Sequence, residues 1–156
     1  MRRKDREITN PDLIREYMHQ CEICRLGFND DGEVYIVPLN FGIVEEDARY
    51  TFYFHGAKEG RKIDLIRKNP AVGFEMDCHY KLVTGEAGHD CTARFRSIIG
   101  SGRMEIVENE DEKIKGLQAL MLHATGKADW SFAPAMVKAV CVFKMTVEKL
   151  SCKEHL

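Results

Sequence analysis

Apolar and polar positions alternate along the chain at two different periods. Asn10-Pro11-Asp12 places a capping side chain, a proline and an acid where a helix start wants them. Leu13, Ile14, Tyr17, Met18 and Cys21 then share one face, which predicts a helix over about 10–21. A strand over 23–28, a turn at Asn29-Asp30-Asp31-Gly32 and a second strand over 33–41 follow. Glu45-Glu46-Asp47 reads as the turn into a third strand, built on Thr51-Phe52-Tyr53-Phe54 and ending at His55. Ile63, Leu65 and Ile66 mark a short helix that stops at Asn69-Pro70, and 71–76 returns as a strand. Residues 77–90 are polar and contain glycine, as a long loop or irregular hairpin would. The run 91–107 is too long for one flat strand, and Gly100 and Gly102 predict a bulge or kink within it. Asn109 and three acids open another helix, Ile114, Leu117, Leu120, Met121 and Ala124 form its stripe, and Gly126 ends it. An irregular segment at 127–134 and a last strand over 137–150 complete the chain. Six short strands joined mostly by hairpins, with helices inserted, predict a mainly β fold, an antiparallel barrel rather than a parallel sheet.

Length and composition narrow the classes. The 156 residues suit one domain, a helix at about 10–21 followed by a barrel over about 23–150. A net charge of −2 and an ordinary apolar share of 44% give no sign of a nucleic-acid or membrane surface. The charged opening, Met1-Arg2-Arg3-Lys4-Asp5-Arg6-Glu7, has no apolar stretch behind it of the signal-peptide kind, and no run approaches a membrane span. A cytoplasmic protein is expected, and its six cysteines should then be reduced thiols. Cys21 and Cys24 form a lone C-x-x-C without the βαβ setting of a redox motif. Cys78-His79 and His89-x-Cys91 match no zinc spacing, so no metal is expected.

Chemistry concentrates after the third strand. Gly56 and Gly60 bracket Lys58, and Arg61-Lys62 open the short helix. A glycine loop feeding a helix N-terminus aims free N–H groups at an anion, and Arg is suited to forked contact with phosphate. Basic residues at a helix start also occur without a ligand, where they oppose the helix dipole. The spacing is not that of a Walker loop, and Ile63 stands where a magnesium-binding Ser or Thr is needed. Pro38 cannot donate to a ladder, so it marks an edge or a break in pairing. The backbone of Val37, Leu39 and Asn40 is then open either to solvent or to a flat heteroaromatic edge.

Together, VPLNF at 37–41, FHGAKEGRKIDLIRKNP at 54–70 and RFRSIIGSGR at 94–103 carry a more specific signal. In their order and spacing the chain resembles the nitroimidazole-resistance proteins of the pyridoxamine 5′-phosphate oxidase-like superfamily. The resemblance runs from about Cys24 to about Val147. It implies a six-stranded antiparallel Greek-key split β-barrel and a homodimer with two FMN sites at the subunit interface. It also implies Arg61 and Lys62 on the FMN phosphate, with Lys58 and Gly60 nearby. Pro38, Leu39 and Asn40 would line the isoalloxazine, His55 would lie beside it, and Arg96 and Ser97 would complete the pocket, the latter pair from the partner chain. FAD shares the inner phosphate, so the loop would accept it too. His55 could hand a proton to a substrate or simply be packed. Trp130 could cover a ring or make a dimer or core contact, and His123 reads as structural. The C-terminal stretch 146–156 lacks the Trp- and Arg-rich block of a true pyridoxamine-phosphate oxidase, so that activity is not expected. The resemblance points to a flavin-dependent oxidoreductase reducing a nitro group or another small electrophile. A flavin-binding store or sensor without turnover is the second reading, and a haem-binding split barrel the third.

Overall fold

The computed structural model describes residues 3–156; Met1 and Arg2, which begin the charged opening run, lie outside the described residues. A single turn at Lys4–Arg6 precedes β1 (Glu7–Ile8). Helix α1 (Pro11–Gln20) begins where the pattern places it, because the Asn10 side chain accepts from the N–H groups of Asp12 and Leu13 at 2.9 and 3.3 Å. Strands β2 (Cys24–Asp30), β3 (Glu33–Leu39), β4 (Gly42–Glu46) and β5 (Arg49–Gly56) follow, then α2 (Arg61–Lys68). The chain continues through β6 (Ala71–Val83), β7 (Thr92–Val107), α3 (Glu110–Thr125), α4 (Pro134–Ala139) and β8 (Cys141–His155). Helix α3 is capped by Asn109, whose side chain accepts from the Glu112 N–H at 2.9 Å, and ends on left-handed Gly126.

Among the described residues eight strands replace the six expected, and each difference has a local cause. The turn predicted at Glu45-Glu46-Asp47 lies one step later. Asp47 and Ala48 take the positive φ values of 50° and 58°, so the two glutamates belong to β4. Most of residues 77–90, read as loop or irregular hairpin, extends the β6–β7 hairpin to Val83 opposite Thr92, past a bulge where His79 turns to φ 56°. The bulge expected at Gly100 and Gly102 is present at that level but belongs to β8. Ser101 pairs with Lys149 and Gly102 with Val147, leaving Glu148 as the extra residue. The glycines serve close approach instead: a Cβ on Gly100 would stand 2.2 Å from the Lys149 carbonyl oxygen and 2.6 Å from the Phe74 ring. The last strand starts later and runs further than predicted, because Pro134 opens the short α4 first.

All pairings are antiparallel, in the order β3-β2-β6-β7-β8-β5-β4, with β1 added on β8. The sheet does not close: β3 and β4 remain as edges, an open barrel of the split type. Its concave side holds an aromatic core in which Phe52 meets Phe74 edge-on at 5.3 Å and Phe41 at 5.7 Å. Register places Ile36, Gly27, Gly73 and Ser101 in one cross-strand row and Pro38, Arg25, Glu75 and Ile99 in the next. These rows form the outer face, where Val34, Ile36 and Ile99 are 69%, 61% and 53% exposed.

Candidate functional site

The corner where β5 hands over to α2 is built around Gly60. Its φ of 122° and ψ of 165° let the chain enter the helix without a capping side chain, and open space surrounds it. Its carbonyl accepts from the N–H groups of Ile63 and Asp64 at 2.9 and 3.2 Å. The N–H groups of Arg61 and Lys62 are left without a partner among the described residues, at the positive end of the helix dipole. Ile63, Leu65 and Ile66 are buried and fix the helix from below, so this end cannot drift.

The three side chains expected to hold a phosphate divide into Lys58 and Lys62 on one side and Arg61 on the other. Lys58 and Lys62 have no ion-pair partner among the described residues. The Lys62 ammonium folds back over the chain at Gly56, where an added Cβ would lie 3.2 Å from Nζ. Arg61 turns the other way. Its Nε and Nη2 donate to Asp30 at 3.0 and 2.9 Å, and Nη2 also donates to Glu33 at 2.8 Å. The guanidinium lies over the Tyr35 ring, 4.7 Å from its centre. Lys68, at the far end of α2, reaches Asp31 at 2.5 Å. The sequence pattern shows Asp30 and Asp31 only as turn residues and Glu33 and Tyr35 only as part of a strand, and does not report these contacts. The clustered acids there were the available signal.

His55 stands exposed at the end of β5, opposite Val142 and next to Gly56, so it shares the corner with Lys62. Pro38 and Leu39 end the edge strand β3, whose single neighbour is β2, as an unpaired ladder side requires of a proline. Three residues at about 3.3 Å each separate Tyr35 from Pro38, so the Arg61 end and the Pro38 end of this edge are roughly 10 Å apart. Asn40 belongs to a neighbouring cleft of about 360 Å³ together with His19, Gln20, Glu22, Phe41 and His123. There the His123 Nδ1 donates to the Phe41 carbonyl at 2.7 Å, since a carbonyl only accepts, and the two histidine rings meet edge-on at 5.8 Å. Burial, helped by His123 and Arg15, lowers the His19 pKa and favours its neutral form. His123, read as structural, thus lines a cleft as well.

Arg96 and Ser97 are not brought to this corner within the chain. Neighbours on one strand point to opposite faces, and Arg96 lies on the inner one beneath α1. Its Nε donates to Glu154 at 2.8 Å and its Nη1 to Gln20 at 2.7 Å, while its guanidinium covers the Tyr17 ring at 4.2 Å. Tyr17 also donates to Glu154, at 2.7 Å. Burial alone would raise the pKa of Glu154, but the Tyr17 hydroxyl and Arg96 outweigh it and hold it below the ordinary value. Its contribution to stability is complete above about pH 4.3 and is lost as the pH falls through the lowered pKa. Between about pH 3 and 5, thermal melting of wild-type protein should therefore drop more steeply than that of Glu154→Gln; parallel curves would remove this network from acid stability.

Cys21 and Cys24 are fully buried, and burial pushes the Cys24 thiol up to about 12, far from a reactive thiolate. Among the described residues no three His, Cys, Asp or Glu side chains gather as a metal site would require. Trp130 donates its ring N–H to Thr125 at 3.2 Å and carries Lys127 over its face, a local contact at the end of α3. No helix is long and apolar enough to cross a membrane among the described residues.

A family model described as pyridoxamine 5′-phosphate oxidase matches residues 11–154. The chain belongs to that family. This pyridoxamine 5′-phosphate oxidase family member is similar to the crystal structure of a Bacteroides thetaiotaomicron protein provisionally assigned to 5-nitroimidazole antibiotic resistance. The two share 31% identity over 95% of this chain and 86% of that one, with a TM-score of 0.81. At 16% identity the flavocytochrome Anf3 of Azotobacter vinelandii has a TM-score of 0.80, covering 100% of this chain and 72% of that one. A FAD and haem binding protein of Mycobacterium smegmatis, also 16% identical, has a TM-score of 0.81 over 96% and 73%. These last two likenesses are of fold alone. Among curated proteins no significant sequence match to this family member occurs.

Proposed function

We propose that this chain is an FMN-dependent oxidoreductase of the nitroimidazole-reductase kind, working as a cytoplasmic homodimer on a nitro group or another small electrophile. The observation that carries the reading is the uncapped start of α2, with two N–H groups that, like Lys62 and Lys58 beside them, have no partner among the described residues. An orphaned helix N-terminus with cations at hand fits a phosphate. The exposed edge of β3 leads from there to Pro38, Leu39 and Asn40 and suits an elongated ligand, anion at one end and flat ring at the other. Bound flavin would supply the electron pair for the reduction.

The protein's own groups would do the remaining work. Lys62 and the two N–H groups hold the anion, and the backbone beside Pro38 orients the ring edge. The cleft beside Asn40 admits a small substrate, and exposed His55 offers a proton at its imidazole. The outer face bearing Val34, Ile36 and Ile99 is the surface for the second copy, since a row with Gly27 and Gly73 lets another sheet approach closely. That copy would also bring Ser97, which shares the outer face with Ile99, toward the flavin, whereas Arg96 is held on the inner face by Glu154 and Gln20.

A visible spectrum of the purified protein, with the mass of whatever heat releases, tests the cofactor. Absorbance near ~450 nm with an FMN mass supports the proposal, a FAD mass corrects it, and a protein that is colourless and ignores added flavin sinks it. His55→Gln should keep its flavin yet reduce a nitroimidazole anaerobically ~10²-fold more slowly than wild type; an unchanged rate would leave His55 a packing residue.

A further inference from the structure

The hairpin joining β2 and β3 carries an arrangement that calls for a cation. Asp31 and Gly32 take φ values of 54° and 96°, and the Asn29 side chain accepts from the Gly32 N–H at 2.8 Å, which fixes the turn. The last cross-strand pair before it is Asp30 opposite Glu33. Like charges directly opposite each other on a sheet repel. Arg61 lies between them, with Asp30 on its Nε–Nη2 fork and Glu33 on Nη2. That fork is the face an arginine offers to a phosphate. The tip holds three carboxylates, Asp30, Asp31 and Glu33, against two cations from α2, Arg61 and Lys68. A phosphate arriving here meets an arginine already engaged and a local excess of negative charge.

We propose that Asp30 and Glu33 are a built-in competitor for Arg61 that weakens the grip of this corner on a phosphorylated ligand. The inference rests on the flavin reading above and refines it. The carboxylates set the difference in affinity between a flavin that carries a phosphate and one that does not, while Lys62 and the free N–H groups supply the attraction. Mutating the carboxylates therefore tightens binding, the opposite of what a residue that merely orients Arg61 would show.

The test is a fluorescence titration of flavin-free, full-length protein with FMN and with riboflavin, comparing wild type with Asp30→Asn/Glu33→Gln. The variant should bind FMN about tenfold more tightly and riboflavin with unchanged affinity, because riboflavin has no phosphate to compete. Weaker FMN binding would make the carboxylates orienting groups and overturn the proposal, as would equal FMN binding or a gain shared by both flavins. Should the double variant fail to fold, Glu33→Gln alone serves, since the Glu33 side chain is 73% exposed; the same preference for FMN, at about half the effect on a logarithmic scale, is expected. Failure of both proteins to bind either flavin overturns the flavin reading itself and this inference with it. Normal wild-type binding without the shift overturns this inference alone.

Discussion

Protein with alanine at both Arg61 and Lys62 is expected to purify colourless and to bind FMN on the order of 10²-fold to 10⁴-fold more weakly than wild type. Two losses combine. Lys62 is a cation without an ion-pair partner among the described residues, beside the uncapped start of α2, so its removal deletes a charge-assisted contact. Removal of Arg61 also takes away the cation that bridges Asp30 and Glu33 across the hairpin, leaving only Lys68 near Asp30 and Asp31, which adds repulsion to the missing attraction. Equilibrium dialysis against FMN would measure the effect, with circular dichroism to confirm the fold. Full retention of flavin would place the phosphate elsewhere. The single Lys62→Ala should account for most of the direct loss, since Arg61 already spends its fork on Asp30.

The largest loss of stability is expected at Phe52→Ala. Phe52 is fully buried on β5, and its ring meets Phe41 and Phe74, so it ties the strand nearest the candidate site to the opposite half of the sheet. Removing a buried phenyl group forfeits its transfer energy and opens a cavity, together about 3–5 kcal/mol. A denaturant titration of flavin-free protein should show the midpoint falling with little change of slope. A loss below ~1 kcal/mol would mean that the surrounding aromatics collapse into the space. The variant should lose flavin only as it loses fold, in contrast to the Arg61 and Lys62 substitutions, which should leave stability nearly intact.

Much of this architecture was legible in local chemistry. Asn10 and Asn109 cap the helices they were expected to cap, Gly126 ends α3, and the glycine-bracketed basic loop opens α2 at Arg61. Pro38 indeed lies on a strand with one neighbour. What escaped was set at longer range or lacked a periodic signal. Strand β4 was hidden because Glu45 and Glu46 resemble turn residues, yet Arg15 on α1 holds Glu45 with two donors and Lys115 on α3 pairs with Glu46. The outer part of the β6–β7 hairpin buries little on either face, so Asp77 to Val83 shows no alternation to read. The last strand was begun too early because 137–140 is apolar enough for a strand, whereas Pro134 starts a helical turn there. At the site, the residue types were readable but their partners were not. Arg61 meets Asp30 and Glu33 across a separation in sequence that no local pattern reports, and Arg96 is claimed by Glu154 near the other end of the chain.

The strand order carries a consequence for how the molecule comes into being. Strand β8 lies between β7 and β5 and also receives β1, so it joins more of the sheet than any other strand. It is also the last of the eight to leave the ribosome. Until it arrives, β5 and β7 are each open along one side, and Phe54 has no Phe143 to stack against. Such late, distant pairing is slow, and it leaves strand edges exposed until β8 has been made. The growing chain is thus most vulnerable to mispairing just before β8 is released, and the sheet is joined last in its interior, where β8 enters between β7 and β5.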